Sequence, residues 1–171
     1  MQIRTLLTTA LAAGATVLAG VAAASPAAAS GEEWGLNGTY IATSNGEWAR
    51  TNEVFHNEES LRSAWTITTQ CSYPTECAGT VTSNWGWTAP IYKKSGVWYV
   101  KRTVPNWEPC PDGSAVDGLQ VFRFWPTGPD YLIDPTSDTL TGEDATTAAS
   151  GGCGISLPLH INMPFKLVKA G

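Results

Sequence analysis

The side chains of this sequence that could do chemistry are four cysteines, two histidines, eight tryptophans and a scatter of carboxylates. Cys71, Cys77, Cys110 and Cys153 form an even set. Zinc would want C-x-x-C or H-x-x-x-H spacing, and neither occurs; His56 and His160 stand alone. Disulfides are the expected use, and four cysteines allow three pairings. The favoured one joins Cys71 to Cys77, which the Tyr73-Pro74 turn brings together, and Cys110 to Cys153, which ties two glycine-flanked loops. An even count in disulfides leaves no thiolate to act as a nucleophile.

Paired carboxylates can cleave glycosidic bonds. Glu58-Glu59 and Glu143-Asp144 are adjacent pairs, but neighbours on an extended chain point to opposite faces and do not share a site. Asp130, Asp134 and Asp138 recur in a proline-broken stretch without the glycine and terminal glutamate of a calcium loop. Neither G-x-S-x-G nor G-K-[ST] is present. No catalytic residue, metal ligand or cofactor is therefore expected. What remains is the tryptophans, each a large apolar surface with one N–H to satisfy. Trp85, Trp87, Trp98 and Trp107 crowd around turn-forming segments and are the candidate ligand contacts.

The elements that must position them read as strands. Leu36–Ala42, Trp65–Thr69, Ala78–Trp85, Leu119–Trp125, Leu157–Ile161 and Pro164–Lys169 carry period-two or β-branched and aromatic runs. Ile91-Tyr92 and Val97–Val104 form a hairpin around Lys93–Gly96, with Trp98, Val100, Arg102 and Val104 on a face that is apolar despite the arginine. Asn45-Gly46 predicts a type I′ hairpin turn, and the stretch 49–61 is the only place for a helical turn. Residues 126–154, rich in Asp, Thr, Gly, Pro and Ser, read as a long loop or short hairpins. The fold class is all-β: a single antiparallel, disulfide-stapled domain, either a partly closed barrel or a sandwich.

Residues 1–29 carry one charge, Arg4, an apolar stretch from Leu6 to Val21 and a closing Ala27-Ala28-Ala29, the pattern of a cleaved secretory signal peptide. Residues 30–171 are then the secreted β domain, one domain's worth of chain. Its destination is the medium or the cell envelope, where thiols oxidise. The apolar stretch falls short of a membrane span. The whole chain has a formal net charge of −5 and no basic cluster, so nucleic acid and anionic membrane surfaces are not expected as partners. A monomer is expected.

From Leu36 to Lys169 the chain resembles a family of small secreted proteins of mycobacteria and related actinobacteria, of uncharacterised function. The resemblance is carried by Trp65–Cys71, Cys77, Gly86-Trp87, Trp98, Pro109–Gly113, Leu140–Gly142, Gly151–Gly154 and Pro164-Phe165-x-Leu167. Similar tryptophan and cysteine spacing recurs, more faintly, in extracytoplasmic regions of mycobacterial serine/threonine kinases. That likeness implies a sensor or ligand-binding module, although kinase motifs are lacking here. The expectation is a non-catalytic binding module for an envelope glycan or lipid. The alternatives are a small envelope-polymer hydrolase and a β-barrel carrier of an apolar ligand.

Overall fold

A computed structural model describes residues 31–171; the expected signal peptide lies outside them. Ten strands follow in chain order: β1 (Gly38–Ser44), β2 (Arg50–Thr51), β3 (Val54–Phe55), β4 (Leu61–Tyr73), β5 (Glu76–Ser83), β6 (Thr88–Lys94), β7 (Val97–Pro109), β8 (Ala115–Pro126), β9 (Thr139–Ala148) and β10 (His160–Lys169). Eight of them close an antiparallel barrel in the order β1-β4-β5-β6-β7-β8-β9-β10, because Tyr40–Ser44 of β1 pairs with Phe165–Lys169 of β10. Closure decides for a barrel over a sandwich and gives each of its eight strands a partner on both sides. The small β2–β3 hairpin continues along β10 where β1 leaves it.

Period-two alternation sends one side chain in two inward. At one end of the barrel this fills the interior: Ile67, Val81, Ile91, Trp98, Val100, Phe124, Leu140 and Leu167 are all but inaccessible. Above them lies an aromatic layer in which Trp65 meets Phe122 edge-on at 4.9 Å and Phe165 at 5.4 Å. The Trp65 indole nitrogen donates to Ser63 Oγ (3.0 Å), so this buried ring carries no unmet donor. Gly142 faces inward where any Cβ would strike the Arg123 carbonyl; the β8 and β9 backbones approach closely only because it is glycine.

The two disulfides are those favoured, Cys71–Cys77 and Cys110–Cys153. The first bridges directly paired positions of β4 and β5 at the filled end. The second ties the β7–β8 connection to the turn between β9 and β10 at the other end.

Three expectations are corrected. Asn45-Gly46 makes no hairpin: Asn45 has φ −92°, and its side-chain oxygen accepts from Glu47 N, capping a 3₁₀ turn over Gly46–Trp48. Residues 49–61 hold the β2–β3 hairpin rather than a helical turn, with Asn52 and Glu53 at φ 48° and 68° making its turn. Within 126–154, Thr139–Ala148 is a full barrel strand that pairs along its length with both neighbours.

Candidate functional site

Toward the mouth the barrel stops being filled. Beside Leu61, Ile161 and Met163, positions there hold Ser44 and Ser63, Arg102 and Val104, Gln120, Asp144 and Thr146. A cavity of about 340 Å³ opens between them, floored by Trp65, Phe122 and Phe165. An eight-stranded barrel is just wide enough either to be plugged by side chains or to hold one small ligand, and here it does one at each end.

One wall is a chain of polar groups drawn from four strands. Ser44 Oγ donates to Asp144 Oδ2 (2.7 Å), Gln120 Nε2 donates to Asp144 Oδ1 (2.9 Å), and Arg102 Nε donates to Gln120 Oε1 (2.8 Å). Asp144 is 1% exposed. Burial pushes its carboxyl up to about 6, against the pull of the Ser44 and Gln120 hydrogen bonds and the Arg102 charge. Arg102 lies with its guanidinium 4.7 Å from the centre of the Trp87 ring, a cation–π contact, and burial lowers its affinity for its proton.

The rim is built by two backbone irregularities. At the β5–β6 turn, Ser83 N and Gly86 N donate to Trp87 O and Ser83 O, and Gly86 takes φ 82°. Asn84 locks the turn to β4 through bonds in both directions with the Ala64 backbone, which leaves Trp85 at the lip, 52% exposed. Opposite, β7 bulges between Val104 and Glu108, where three residues face Asp117 alone. Asn106 turns at φ 51° and its N–H donates to Asp117 Oδ1 (2.9 Å), swinging Trp107 over the backbone of Gly118. A Cβ on Gly118 would stand 2.8 Å from the Trp107 ring, so that glycine is the seat of the indole.

Of the four candidate tryptophans, the structure brings Trp85, Trp87 and Trp107 together around this cavity. Trp98 lies apart, 1% exposed in the filled end under the Lys93 ammonium, 5.5 Å from its ring centre. Glu58 and Glu59 stand at the rim. Asp144 points inward while Glu143 points out to Arg123 and Asn162, as adjacent strand residues must. His160 faces outward onto Thr147 Oγ1 (2.7 Å), and His56 bonds Glu58 Oε1 (3.0 Å) on the surface. Asp130 and Asp134 accept from backbone N–H groups two residues on, stabilising their own turns. Among the described residues no group of three His, Cys, Asp or Glu is placed to hold a metal ion, and no helix is long and apolar enough to cross a membrane.

No described protein family matches the chain, and no curated protein matches its sequence. The fold has a solved counterpart. The sensor domain of M. tuberculosis PknI, in its monomer form, superposes with a TM-score of 0.58 at 18% identity, over 80% of this chain and 88% of that one. The likeness is one of fold, and it agrees with the faint similarity to mycobacterial kinase extracytoplasmic regions read from the sequence.

The polar wall escaped the sequence reading. Its clearest signal is Arg102 interrupting the apolar face of β7; Asp144 shows only as half of the adjacent pair Glu143-Asp144, and Ser44 and Gln120 give none, since each is ordinary in a strand or turn.

Proposed function

We propose that the chain is an exported, non-catalytic binding module whose ligand enters the open mouth of the barrel and contacts Trp85, Trp87 and Trp107. The observation that carries this reading is the unfilled cavity of about 340 Å³, in a barrel whose other end is fully packed. Interiors normally fill to crystal density, and space left open forfeits packing. The size lies within the range of small-molecule sites, and the lining combines an aromatic floor with one polar wall. Two disulfides and the fold of a sensor domain fit a module working outside the cell.

The two rim tryptophans suit stacking on a sugar ring, and the aromatic floor suits an apolar tail. An envelope glycolipid fragment offers both. Octyl glucoside below its micelle concentration is a simple stand-in. Titration should give a saturable change in tryptophan emission that Trp107→Ala removes and Trp98→Phe, folded, retains. Emission that stays flat for octyl glucoside, octanol and soluble glycan oligomers alike would count against the mouth as a ligand site.

Within the same cavity, the carrier reading draws on the apolar floor but would sit better with an enclosed cavity than an open mouth. The hydrolase reading would need Asp144 with Glu58 or Glu59. Asp144 has both oxygens occupied by Ser44 and Gln120, which favours binding over hydrolysis.

A further inference from the structure

Resting on the reading of the mouth as the ligand site, we infer that its ligand carries a carboxylate, bound by the fork of Arg102, with an apolar body lying on the Trp65–Phe122–Phe165 floor. A guanidinium has five N–H donors in a fixed plane. Nε–H of Arg102 is spent on Gln120 Oε1; among the described residues nothing accepts from the two terminal nitrogens, and those nitrogens belong to a side chain that lines the cavity.

The arrangement around it is specific. Arg102 makes no ion pair among the described residues, although Asp144 stands close enough to act on it through space. Gln120 lies between them, its amide accepting from the cation and donating to the carboxylate. A direct Arg–Asp pair would close the fork in bidentate fashion. The intervening amide instead holds the guanidinium by one edge, Trp87 holds it by one face at 4.7 Å, and the double-donor edge is left for something else. A pair of anionic oxygens on one atom matches that edge; carboxylate and phosphate both supply it, and the carboxylate is the smaller group to seat beside an apolar body in this cavity.

The remaining volume sets the body. About 340 Å³ is a little over twice the ~150 Å³ that accommodates one benzene ring in an engineered protein cavity. A bicyclic aromatic or a short alkyl chain fits. Glu58 and Glu59 at the rim act in the opposite sense, repelling an anion and selecting for one whose charge lies deep on Arg102 rather than at the lip.

Calorimetry with 2-naphthoate, 2-naphthamide and 2-naphthylmethylammonium on the residue 30–171 protein, disulfides intact, tests the inference. Naphthoate should bind about tenfold or more tightly than the amide. Arg102→Met should abolish that preference by weakening naphthoate far more than the amide, and Arg102→Lys should recover only part of it. Should Arg102→Met fail to fold, the naphthoate-to-amide ratio of the unaltered protein decides alone. Equal binding of all three probes, or preference for the ammonium, overturns the carboxylate and leaves the mouth as a ligand site. Binding of none overturns the carboxylate, and together with flat emission toward octyl glucoside, octanol and glycan oligomers it overturns the mouth as a ligand site as well.

Discussion

Asp144 is the most exposed to test of the residues described, because its environment works against its charge. Its carboxyl is raised to about 6 from an ordinary 3.8 by burial. A carboxyl whose folded value exceeds its unfolded one holds its proton longer in the native state, so this group's contribution to stability falls as pH rises from about 4 to about 6 and is level above that. Roughly two pH units correspond to about 3 kcal/mol. Asp112 and Asp134 are shifted the other way by hydrogen bonds from Ser114 and Thr136, so their pH dependence falls below that window, and a melt of the parent protein sums all such groups. The informative quantity is therefore a difference. In urea melts, Asp144→Asn should gain stability relative to the parent as pH increases through that window; its amide can still accept from Gln120 and donate to Ser44. Parallel pH profiles for the two proteins would show that Asp144 does not titrate there.

At the scale of the element, the β7 bulge and Gly118 act as one device. Gly118→Ala puts a methyl 2.8 Å from the Trp107 ring and 2.7 Å from Thr146 Cγ2. Overpacking of this kind costs about 1–3 kcal/mol, and relief is available by expelling the indole. Red-shifted emission, absent in a Trp107→Phe background, should accompany the loss; unchanged emission would mean Trp107 is not seated on Gly118. The strands were legible in the sequence wherever their inward faces are apolar: Trp65 and Ile67 announce β4, Trp98 and Val100 announce β7, Phe122 and Phe124 announce β8. β9 was not. Its inward row runs Leu140, Gly142, Asp144, Thr146, Ala148, so the residues that make the cavity polar erase the alternation by which a strand is recognised. Asn45-Gly46 misled for a related reason: a turn signal says that the chain bends, while the length of the excursion to β4 depends on distant pairing. Trp87 and Trp107 were legible as ring-bearing loop residues, but Trp98 looked the same, since neighbouring turns cannot tell the plugged end of a barrel from the open one.

Taken as a whole molecule, the barrel is stapled at both ends. On a chain-entropy basis, opening the 43-residue Cys110–Cys153 loop by double Ser substitution should cost about 4 kcal/mol and opening the 6-residue Cys71–Cys77 loop about 2 kcal/mol. Denaturant midpoints of the two double mutants check the order, and its reversal would place the stabilisation in local packing. The division into a packed end and an open end also assigns different residues of the same strand to different tasks. Along β7, Trp98 and Val100 hold the core while Arg102 and Val104 face the mouth; β4, β8 and β10 divide in the same way. A gene library randomised at Val104, Thr146 and Ile161 should yield mostly folded proteins by protease resistance, and one randomised at Val100, Phe124 and Leu167 mostly unfolded ones. Heredity can then act on the two ends separately: copies of such a gene are free to drift toward new small molecules at the mouth while the plugged end preserves the frame that they inherit.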